Sequence, residues 1–320
     1  MIYLSNEDID ALGINWSECI AVIADCIKCY HADKCVQPIK PYLRFGNPAN
    51  RIIAMPAYVG GNIDVAGIKW IASFPDNIKS GLPRATSIVI LNDARTGQIV
   101  SIINTSFLSA IRTVSVSALV LKAFLEARPT ESITIGIIGL GPIGQLHLIM
   151  CRELCAERNL EFTVYDINKS LCETVGTRTN SIVAKEWRDA YCDADVVITS
   201  TVSTHPYINR EPKRGALLLN ISLRDYQTSV YRYVANAIIV DDWDEVCREN
   251  TDIQKFHEEM GLNRQHTKSL LDLVIDDCLK KYPPDAPVMF NPMGLAMFDI
   301  AIASYYTQMA QAKGFGLRLS

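Results

Sequence analysis

The chain begins with a helical pattern of apolar residues and continues with a strand-like one. Between Trp16 and Tyr30, apolar side chains recur at steps of three and four, the period of one helix face. Runs rich in β-branched and aromatic residues follow, and turn residues separate them. These predicted strands are residues 36–44, 51–58, 65–73, 86–91 and 98–103, and a helix is predicted from 105 to about 126. Because no helix lies between the strands, the pattern predicts a mixed or antiparallel sheet.

The pattern changes after Pro129. Short apolar runs now alternate with spacers, at least the first of them long enough for a helix, which is typical of a parallel sheet covered on both faces. The runs are residues 133–138, 162–165, 181–184, 196–200, 216–221 and 237–240. Residues 294–312 form a further apolar helix that we expect to pack on the N-terminal part. The sequence therefore predicts two domains, residues 1–114 plus 289–320 and an inserted α/β domain of residues 115–288.

Composition excludes several classes of function. The 320 residues are 49% hydrophobic and 21% charged, and 31 Lys and Arg against 35 Asp and Glu give a net charge of −4. Without a basic excess we expect no nucleic-acid partner, and no apolar run reaches the roughly 18 residues that a membrane span needs. The N-terminal segment does not resemble a secretory signal, so the ten cysteines indicate a reduced, cytoplasmic protein. Cys26 and Cys29 form a CxxC within the helical pattern without a second pair, and we expect no metal site.

A glycine-rich turn supplies the most specific motif. Gly139, Gly141 and Gly144, with Pro142 and Ile143 between the last two, follow an apolar strand and open a predicted helix. This context is the dinucleotide-binding fingerprint of a Rossmann-type doubly wound sheet, in which the helix N-terminus binds the pyrophosphate.

An acidic residue follows at the position where this fingerprint requires one. Asp166 ends the next strand, 22 residues after Gly144. Its carboxylate would accept hydrogen bonds from ribose hydroxyls and repel a 2′-phosphate, so we expect NAD rather than NADP. Later strand ends should add cofactor contacts at Thr201, Val202 and Ser222, unless these residues only cap their strands.

Cationic residues lie inside apolar or strand-like segments outside that domain. The set comprises Lys40, Arg44, Lys69, Arg84 and Arg112. A strand's period of two would place Lys40, Tyr42 and Arg44 on one face. Each cation alone is more often a structural salt bridge or a surface side chain, but together they favour a ligand with several carboxylates. Asp225, after the fifth predicted parallel strand, is a candidate base, with turn formation as the alternative.

The motifs resemble those of the ornithine cyclodeaminase/μ-crystallin family over nearly the whole chain. They include Gln37–Lys40, Met55–Tyr58, Gly67–Lys69, Arg112–Thr113, the glycine-rich turn and Gly294–Asp299. The resemblance implies a Rossmann domain inserted into an α+β substrate and dimerisation domain, and a homodimer. It implies that Lys69 and Arg112 bind the substrate carboxylate, with either Lys40 or Arg44 and with Met55 nearby. From the set of cations we expect Arg84 to bind the third carboxylate. The resemblance also implies that Thr113, Ser117, Met293 and Gly294 lie near the cofactor and that Asp225 is catalytic.

One branch of the family is especially similar, in segments such as residues 37–44, 51–61 and 291–296. Its members oxidatively cleave N-(2-amino-2-carboxyethyl)-L-glutamate to L-2,3-diaminopropionate and 2-oxoglutarate with formation of NADH, in the synthesis of siderophores or peptide antibiotics. The resemblance thus implies an NAD-dependent oxidoreductase that acts on a CH–NH bond, with Lys69 and Asp225 in catalysis. The alternatives are ornithine cyclodeamination, alanine dehydrogenation, ketimine reduction, or a non-enzymatic binder that retains the dinucleotide.

Overall fold

The computed structural model describes residues 1–47 and 49–319. The helices are α1 (Asn6–Leu12), α2 (Trp16–His31), α3 (Ser106–Ala127), α4 (Pro142–Leu154), α5 (Lys169–Thr179), α6 (Tyr231–Val234), α7 (Trp243–Val246), α8 (Asp252–Met260), α9 (Leu270–Asp276) and α10 (Ala296–Lys313). The strands are β1 (Ile2–Leu4), β2 (Cys35–Val36), β3 (Tyr42–Leu43), β4 (Arg51–Val59), β5 (Val65–Ser73), β6 (Ala85–Asp93), β7 (Ile99–Ile103), β8 (Ser132–Ile138), β9 (Asn159–Tyr165), β10 (Ile182–Val183), β11 (Val196–Thr199), β12 (Leu217–Asn220), β13 (Ile238–Val240), β14 (Thr267–Ser269), β15 (Val288–Asn291) and β16 (Leu317–Arg318).

The chain divides into two compact units. The first unit comprises Met1–Val116 and Gly294–Ser320, and the second comprises Ser117–Met293. The second unit ends five residues later than the boundary expected from the sequence. The reason is β15, which is a strand of the second unit's sheet and which the expected boundary would cut.

The first unit consists of a mixed sheet with helices packed on it. The strand order is β16-β1-β7-β6-β5-β4-β2, and β4 to β7 are antiparallel, as the run of strands without helices predicts. Helix α10 packs on β4, β5, β6 and α2, which confirms the prediction for this apolar segment. Because side chains alternate across a strand, Met55, Lys69 and Val89 share one face and are buried there.

The predicted strand at residues 36–44 is wrong. Only β2 and β3 form there, each two residues long and each paired with β4. Pro38 and Pro41 lie between them and have no N–H to donate to a ladder. The predicted common face of Lys40 and Arg44 is wrong for the same reason, since Lys40 is buried and Arg44 is exposed.

The second unit contains an eight-stranded sheet in the order β10-β9-β8-β11-β12-β15-β13-β14. Every pairing in it is parallel, and β11, β12, β13 and β15 are buried along their whole length. Strands buried on both faces are near-continuous apolar runs, as the sequence shows. The α/β fold class with a parallel sheet is confirmed, whereas β14 and β15 were not expected.

Helix α3 is long and apolar enough to cross a membrane by length and composition alone. Its most apolar window, however, is 78% buried inside the protein. This burial is typical of a core helix in a globular protein.

Candidate active site

The glycine-rich segment after β8 has the geometry of a phosphate-binding turn. Gly139 has φ +96°, a left-handed conformation that favours glycine, and a Cβ there would lie 2.7 Å from Ser200 O. A Cβ on Gly144 would lie 1.9 Å from Gly139 O, so only glycine allows α4 to pack this closely. A Cβ on Gly141, by contrast, would meet nothing within 4 Å. The open surface at Gly141, where α4 begins, fits a pyrophosphate group.

Asp166 contacts this turn directly. Its Oδ2 accepts a hydrogen bond from the Leu140 N–H at 2.7 Å, and its Oδ1 accepts one from the Asn168 N–H at 2.8 Å. The carboxylate is thereby fixed at the end of β9, beside the glycine-rich turn. This is the position from which an acidic residue recognises an adenosine ribose.

Ser117 lies beneath the turn rather than on its surface. The side chain is fully buried, and its hydroxyl pairs with Nε2 of His147 at 2.9 Å. Nδ1 of His147 pairs with the carbonyl O of Ile143 at 2.8 Å. Burial lowers the pKa of His147 to about 4, so the ring is neutral at neutral pH. Ser117 and His147 therefore support the first turn of α4, which Pro142 and Ile143 begin, from below.

The other predicted cofactor residues differ in their surroundings. Val202 is exposed after β11, where a ligand at the carboxyl end of the sheet could touch it. The Met293 N–H donates to Oδ1 of Asp241 at 3.0 Å, within the second unit. Thr113 belongs to the first unit, and its hydroxyl donates to Ser109 O one turn earlier in α3, at 2.8 Å.

Asp225 follows β12 and is fully buried. The Thr201 hydroxyl donates to its Oδ1 at 2.6 Å, and the Ser222 hydroxyl donates to its Oδ2. Burial raises the pKa of Asp225, and hydrogen bonds from Ser222 and Thr201 oppose this effect. Both hydroxyl residues are partly exposed. They can therefore connect the buried carboxylate to a ligand that Asp225 does not itself reach.

The first unit brings several of the predicted cations together. We call Lys40, Lys69, Arg112, Gly294 and Asp299 the cationic cluster. Lys69 Nζ lies 2.8 Å and Arg112 Nε 2.9 Å from the same oxygen, Oδ1 of Asp299. Lys69 also donates to the Ser109 hydroxyl at 3.2 Å.

The electrostatics of the cationic cluster favour an anionic ligand. Lys69, Arg112 and Asp299 are all at most 7% exposed, so two buried cations share a single carboxylate. The pKa of Lys69 is lowered to about 7, chiefly by burial, which Asp299 opposes and the neighbouring Arg112 reinforces. A ligand carboxylate would supply the second negative charge that this pair of cations lacks.

Gly294 forms the backbone side of the cluster, just before α10. Its carbonyl O accepts a hydrogen bond from Lys40 Nζ at 2.7 Å. Its φ is +85°, and a Cβ there would lie 2.7 Å from Nη1 and 3.2 Å from Nη2 of Arg112. Glycine at this position therefore lets the Arg112 guanidinium lie against the main chain.

The remaining predicted substrate residues are spread over the first unit. Met55 is buried on β4 directly opposite Lys69 on β5. Arg44 is exposed, with its guanidinium 5.3 Å from the centre of the Tyr42 ring, so Lys40 and not Arg44 joins the cluster. Arg84 is half-buried before β6, where its carbonyl O accepts from the Phe74 N–H at 2.8 Å.

Asp299 is the residue of the cluster to which sequence reasoning gave no role. The available signal was its position, because it is the first charged residue of the apolar helix α10 and the next one is Lys313. A buried carboxylate in such a helix requires a cationic partner. Within residues 1–47 and 49–319, no three His, Cys, Asp or Glu side chains are placed to hold one metal ion.

Known proteins are similar to this chain over nearly its full length. N-((2S)-2-amino-2-carboxyethyl)-L-glutamate dehydrogenase of Staphylococcus aureus is 33% identical over 335 aligned positions, which cover 100% of this chain and 98% of that protein. Delta(1)-pyrroline-2-carboxylate reductase of Bacillus cereus is 24% identical, with 96% of each chain covered.

Solved structures share the fold over the full length. Delta(1)-pyrroline-2-carboxylate reductase of Thermococcus litoralis, in complex with NADH and L-proline, superposes with a TM-score of 0.87 at 23% identity and 100% coverage of both chains. An archaeal alanine dehydrogenase dimer with bound NAD gives a TM-score of 0.84 at 20% identity, covering 100% of this chain and 99% of that one. The sequence profile of the ornithine cyclodeaminase/mu-crystallin family matches residues 4–314. The chain therefore belongs to the ornithine cyclodeaminase/mu-crystallin family.

Proposed function

We propose that the protein is an NAD-dependent oxidoreductase that cleaves N-(2-amino-2-carboxyethyl)-L-glutamate to L-2,3-diaminopropionate and 2-oxoglutarate, for siderophore or peptide-antibiotic synthesis. The observation behind this proposal is the cationic cluster, in which Lys69 and Arg112 share one oxygen of Asp299. Such a site suits an amino acid with several carboxylates. The full-length identity of 33% to the Staphylococcus aureus dehydrogenase supports the specific substrate.

The second unit supplies the residues for cofactor binding. The N–H groups at the start of α4 and the open surface at Gly141 would hold the pyrophosphate, and Asp166 the adenosine ribose. Bound NAD+ would supply the hydride acceptor for oxidation at the glutamyl Cα. The solved relatives with NADH and NAD support this choice of cofactor.

The residues of this chain have separate tasks in the reaction. Lys69, Arg112 and Lys40 bind carboxylates and fix the orientation of the glutamyl Cα–H, a positioning effect that can contribute several kcal/mol. Asp225 accepts a proton from the amine or from the water that cleaves the imine. Because Asp225 is fully buried, Ser222 or Thr201 passes this proton to it through its hydroxyl group.

The decisive assay is incubation of the purified protein with NAD+ and the glutamate conjugate. We expect NADH by absorbance, together with 2-oxoglutarate and diaminopropionate by mass. Lys69→Ala should lower kcat/KM at least tenfold, whereas Lys79→Ala, at an exposed lysine paired with Asp76, should not change it. Ornithine converted without net NADH would indicate a cyclodeaminase. Tight dinucleotide binding without turnover of any amino acid or imine would indicate a non-enzymatic binder.

We also infer a cytoplasmic homodimer. The sheet face opposite α10 presents apolar side chains at alternate positions, among them Ile68, Trp70 and Ile88, and Trp70 is 39% exposed. The dimeric archaeal alanine dehydrogenase supports a homodimer, and we propose this apolar face as the contact between the two copies. Light scattering should give the mass of a dimer, and Trp70→Glu should shift it toward the monomer. The ten free cysteines support a reducing compartment.

A further inference from the structure

The loop that carries Asp225 is held by a residue of another element. This loop leaves β12 at Asn220, and its Leu223 has φ +62°, a left-handed conformation that is uncommon for leucine. Asp252 begins α8, behind the loop, and is fully buried. A strained loop conformation persists only where the surrounding structure fixes it, and the contacts of Asp252 show how this is achieved.

Asp252 binds the loop at four points. Its Oδ2 accepts hydrogen bonds from Asn220 Nδ2 at 3.0 Å, from the Asp225 N–H at 3.2 Å and from the Tyr226 N–H at 3.3 Å. Its own N–H donates to Leu223 O at 2.7 Å. Three donors therefore converge on one carboxylate oxygen, and two of them are the main-chain N–H groups of Asp225 and its neighbour.

We propose that Asp252 is a positioning residue for Asp225, which fixes the main chain of Asp225 so that its carboxylate meets Thr201 and Ser222. The proposal rests on the role of Asp225 in the proposed function. The Asp225 and Tyr226 N–H groups both donate to Asp252 Oδ2, while Asp225 O accepts from the Tyr207 and Ile208 N–H groups, so Asp252 holds the donor side of this main chain.

The two carboxyl groups are also electrically coupled. Burial raises the pKa of Asp252 to about 7, the hydrogen bonds from Asn220 and Tyr226 oppose the shift, and Asp225 adds to it. Tyr226 and Tyr207 also face Asp225 and Asp252, and Lys255, on the same helix as Asp252, favours its ionised form. The second oxygen of Asp252, Oδ1, is buried and accepts no hydrogen bond within the described part of the chain. A proton can therefore reside on Oδ1 while Oδ2 keeps its three donors.

Two substitutions separate positioning from general stability. Asp252→Asn keeps a side-chain oxygen at the position of Oδ2, where it can accept the three hydrogen bonds, and puts the NH2 group at the position of Oδ1. Asp252→Ala removes the acceptor. For Asp252→Ala we expect kcat to fall at least tenfold with the KM for NAD+ within twofold. For Asp252→Asn we expect kcat within about threefold of the wild type. Glu259→Gln, which removes one negative charge from the exposed end of the same helix, should leave both constants unchanged.

A measurement that does not depend on turnover separates this proposal from the proposed function. In two-dimensional NMR spectra of the full chain, the Asp225 and Tyr226 amide signals should shift with pH with a midpoint near 7, because they bond to Asp252. In Asp252→Asn the shift should disappear, and in Glu259→Gln it should remain. Equal kcat in Asp252→Ala and the wild type, or unchanged titration of both amides in Asp252→Asn, would overturn the proposal. If the wild type does not convert the glutamate conjugate, the proposed substrate is wrong, whereas the amide titration still tests the role of Asp252.

Discussion

Replacement of Gly294 by alanine tests whether the position of Arg112 determines catalysis. The new Cβ would lie 2.7 Å from Arg112 Nη1, and it would also lie 3.3 Å from Cζ. The guanidinium cannot swing away freely, because its Nε is bonded to Asp299 at 2.9 Å. Gly294→Ala therefore moves the group that we expect to bind the substrate carboxylate, without changing any charge.

The magnitude follows from two separate effects. A left-handed conformation costs a residue with a Cβ about 1–2 kcal/mol of folding free energy. The guanidinium must also move by about 0.7 Å to reach an ordinary van der Waals distance from the new Cβ at position 294. A misplacement of about 1 Å can lower a rate by about 100-fold. We therefore expect Gly294→Ala to lower kcat/KM for the glutamate conjugate by about 10- to 100-fold.

Gly314 provides a matched control for the backbone effect. It follows α10 with φ +75°, and a Cβ there would meet nothing within 4 Å. In urea denaturation, Gly314→Ala should lower the free energy of unfolding by about 1–2 kcal/mol, the cost of a left-handed conformation for a residue with a Cβ. Its kcat/KM should equal that of the wild type. NADH formation under saturating NAD+ measures the second quantity. If Gly294→Ala and Gly314→Ala have the same kcat/KM, the reasoning about Arg112 is wrong.

Three further predictions concern the cofactor, the lysine and the histidine. Asp166→Ala should raise the KM for NAD+ and reduce the preference for NAD+ over NADP+, because the adenosine ribose loses the carboxylate that accepts its hydrogen bonds. Equal kcat/KM for NAD+ and NADP+ in the wild type would contradict this role of Asp166. Substrate binding at pH 8 should take up protons, because Lys69 has a pKa of about 7 in the free protein and a bound carboxylate raises this pKa. Calorimetry in two buffers of different ionisation enthalpy should show this uptake, and Lys69→Ala should lack it. The folded protein should lose about 2 kcal/mol of stability between pH 7 and pH 5 through His147. The pKa of His147 is about 4 in the folded protein and lies higher in the unfolded chain, so at pH 5 the unfolded chain binds a proton that the folded protein does not. Urea denaturation of His147→Gln at both pH values should show a smaller loss, and an equal loss would exclude His147 as its source.

The parts of the fold that could be predicted are those with a local cause. The glycine-rich turn is recognisable because Gly139 must adopt a positive φ and Gly144 must approach a carbonyl group, requirements that only glycine meets. The buried parallel strands are equally local, since burial on both faces requires a continuous apolar run. Strand β14, by contrast, consists of Thr267–Ser269 and lacks such a run, so no pattern indicated it.

The error at residues 36–44 shows the limit of periodicity. Alternation of side chains predicts a common face only if the backbone is a strand, and Pro38 and Pro41 interrupt the ladder there. Once the strand is broken, Lys40 turns inward to Gly294 while Arg44 remains at the surface. The sequence could identify both cations as candidates, but the choice between them depended on the path of an irregular segment.

The cationic cluster depends on contacts between distant parts of the chain, and this is why the role of Asp299 could not be predicted from the sequence. Lys69 is separated from Asp299 by 230 positions and Arg112 by 187, so neither local spacing nor helical period connects them. Each cation was noticeable because a charge inside an apolar segment needs a partner, and the same argument applies to Asp299 in α10. The physical rule therefore implies that these charges are paired, while the packing of α10 on β5 decides which charges meet. That packing places two cations on one carboxylate oxygen, so the structure adds Asp299 as the shared partner of cations for which the sequence already favoured an anionic ligand.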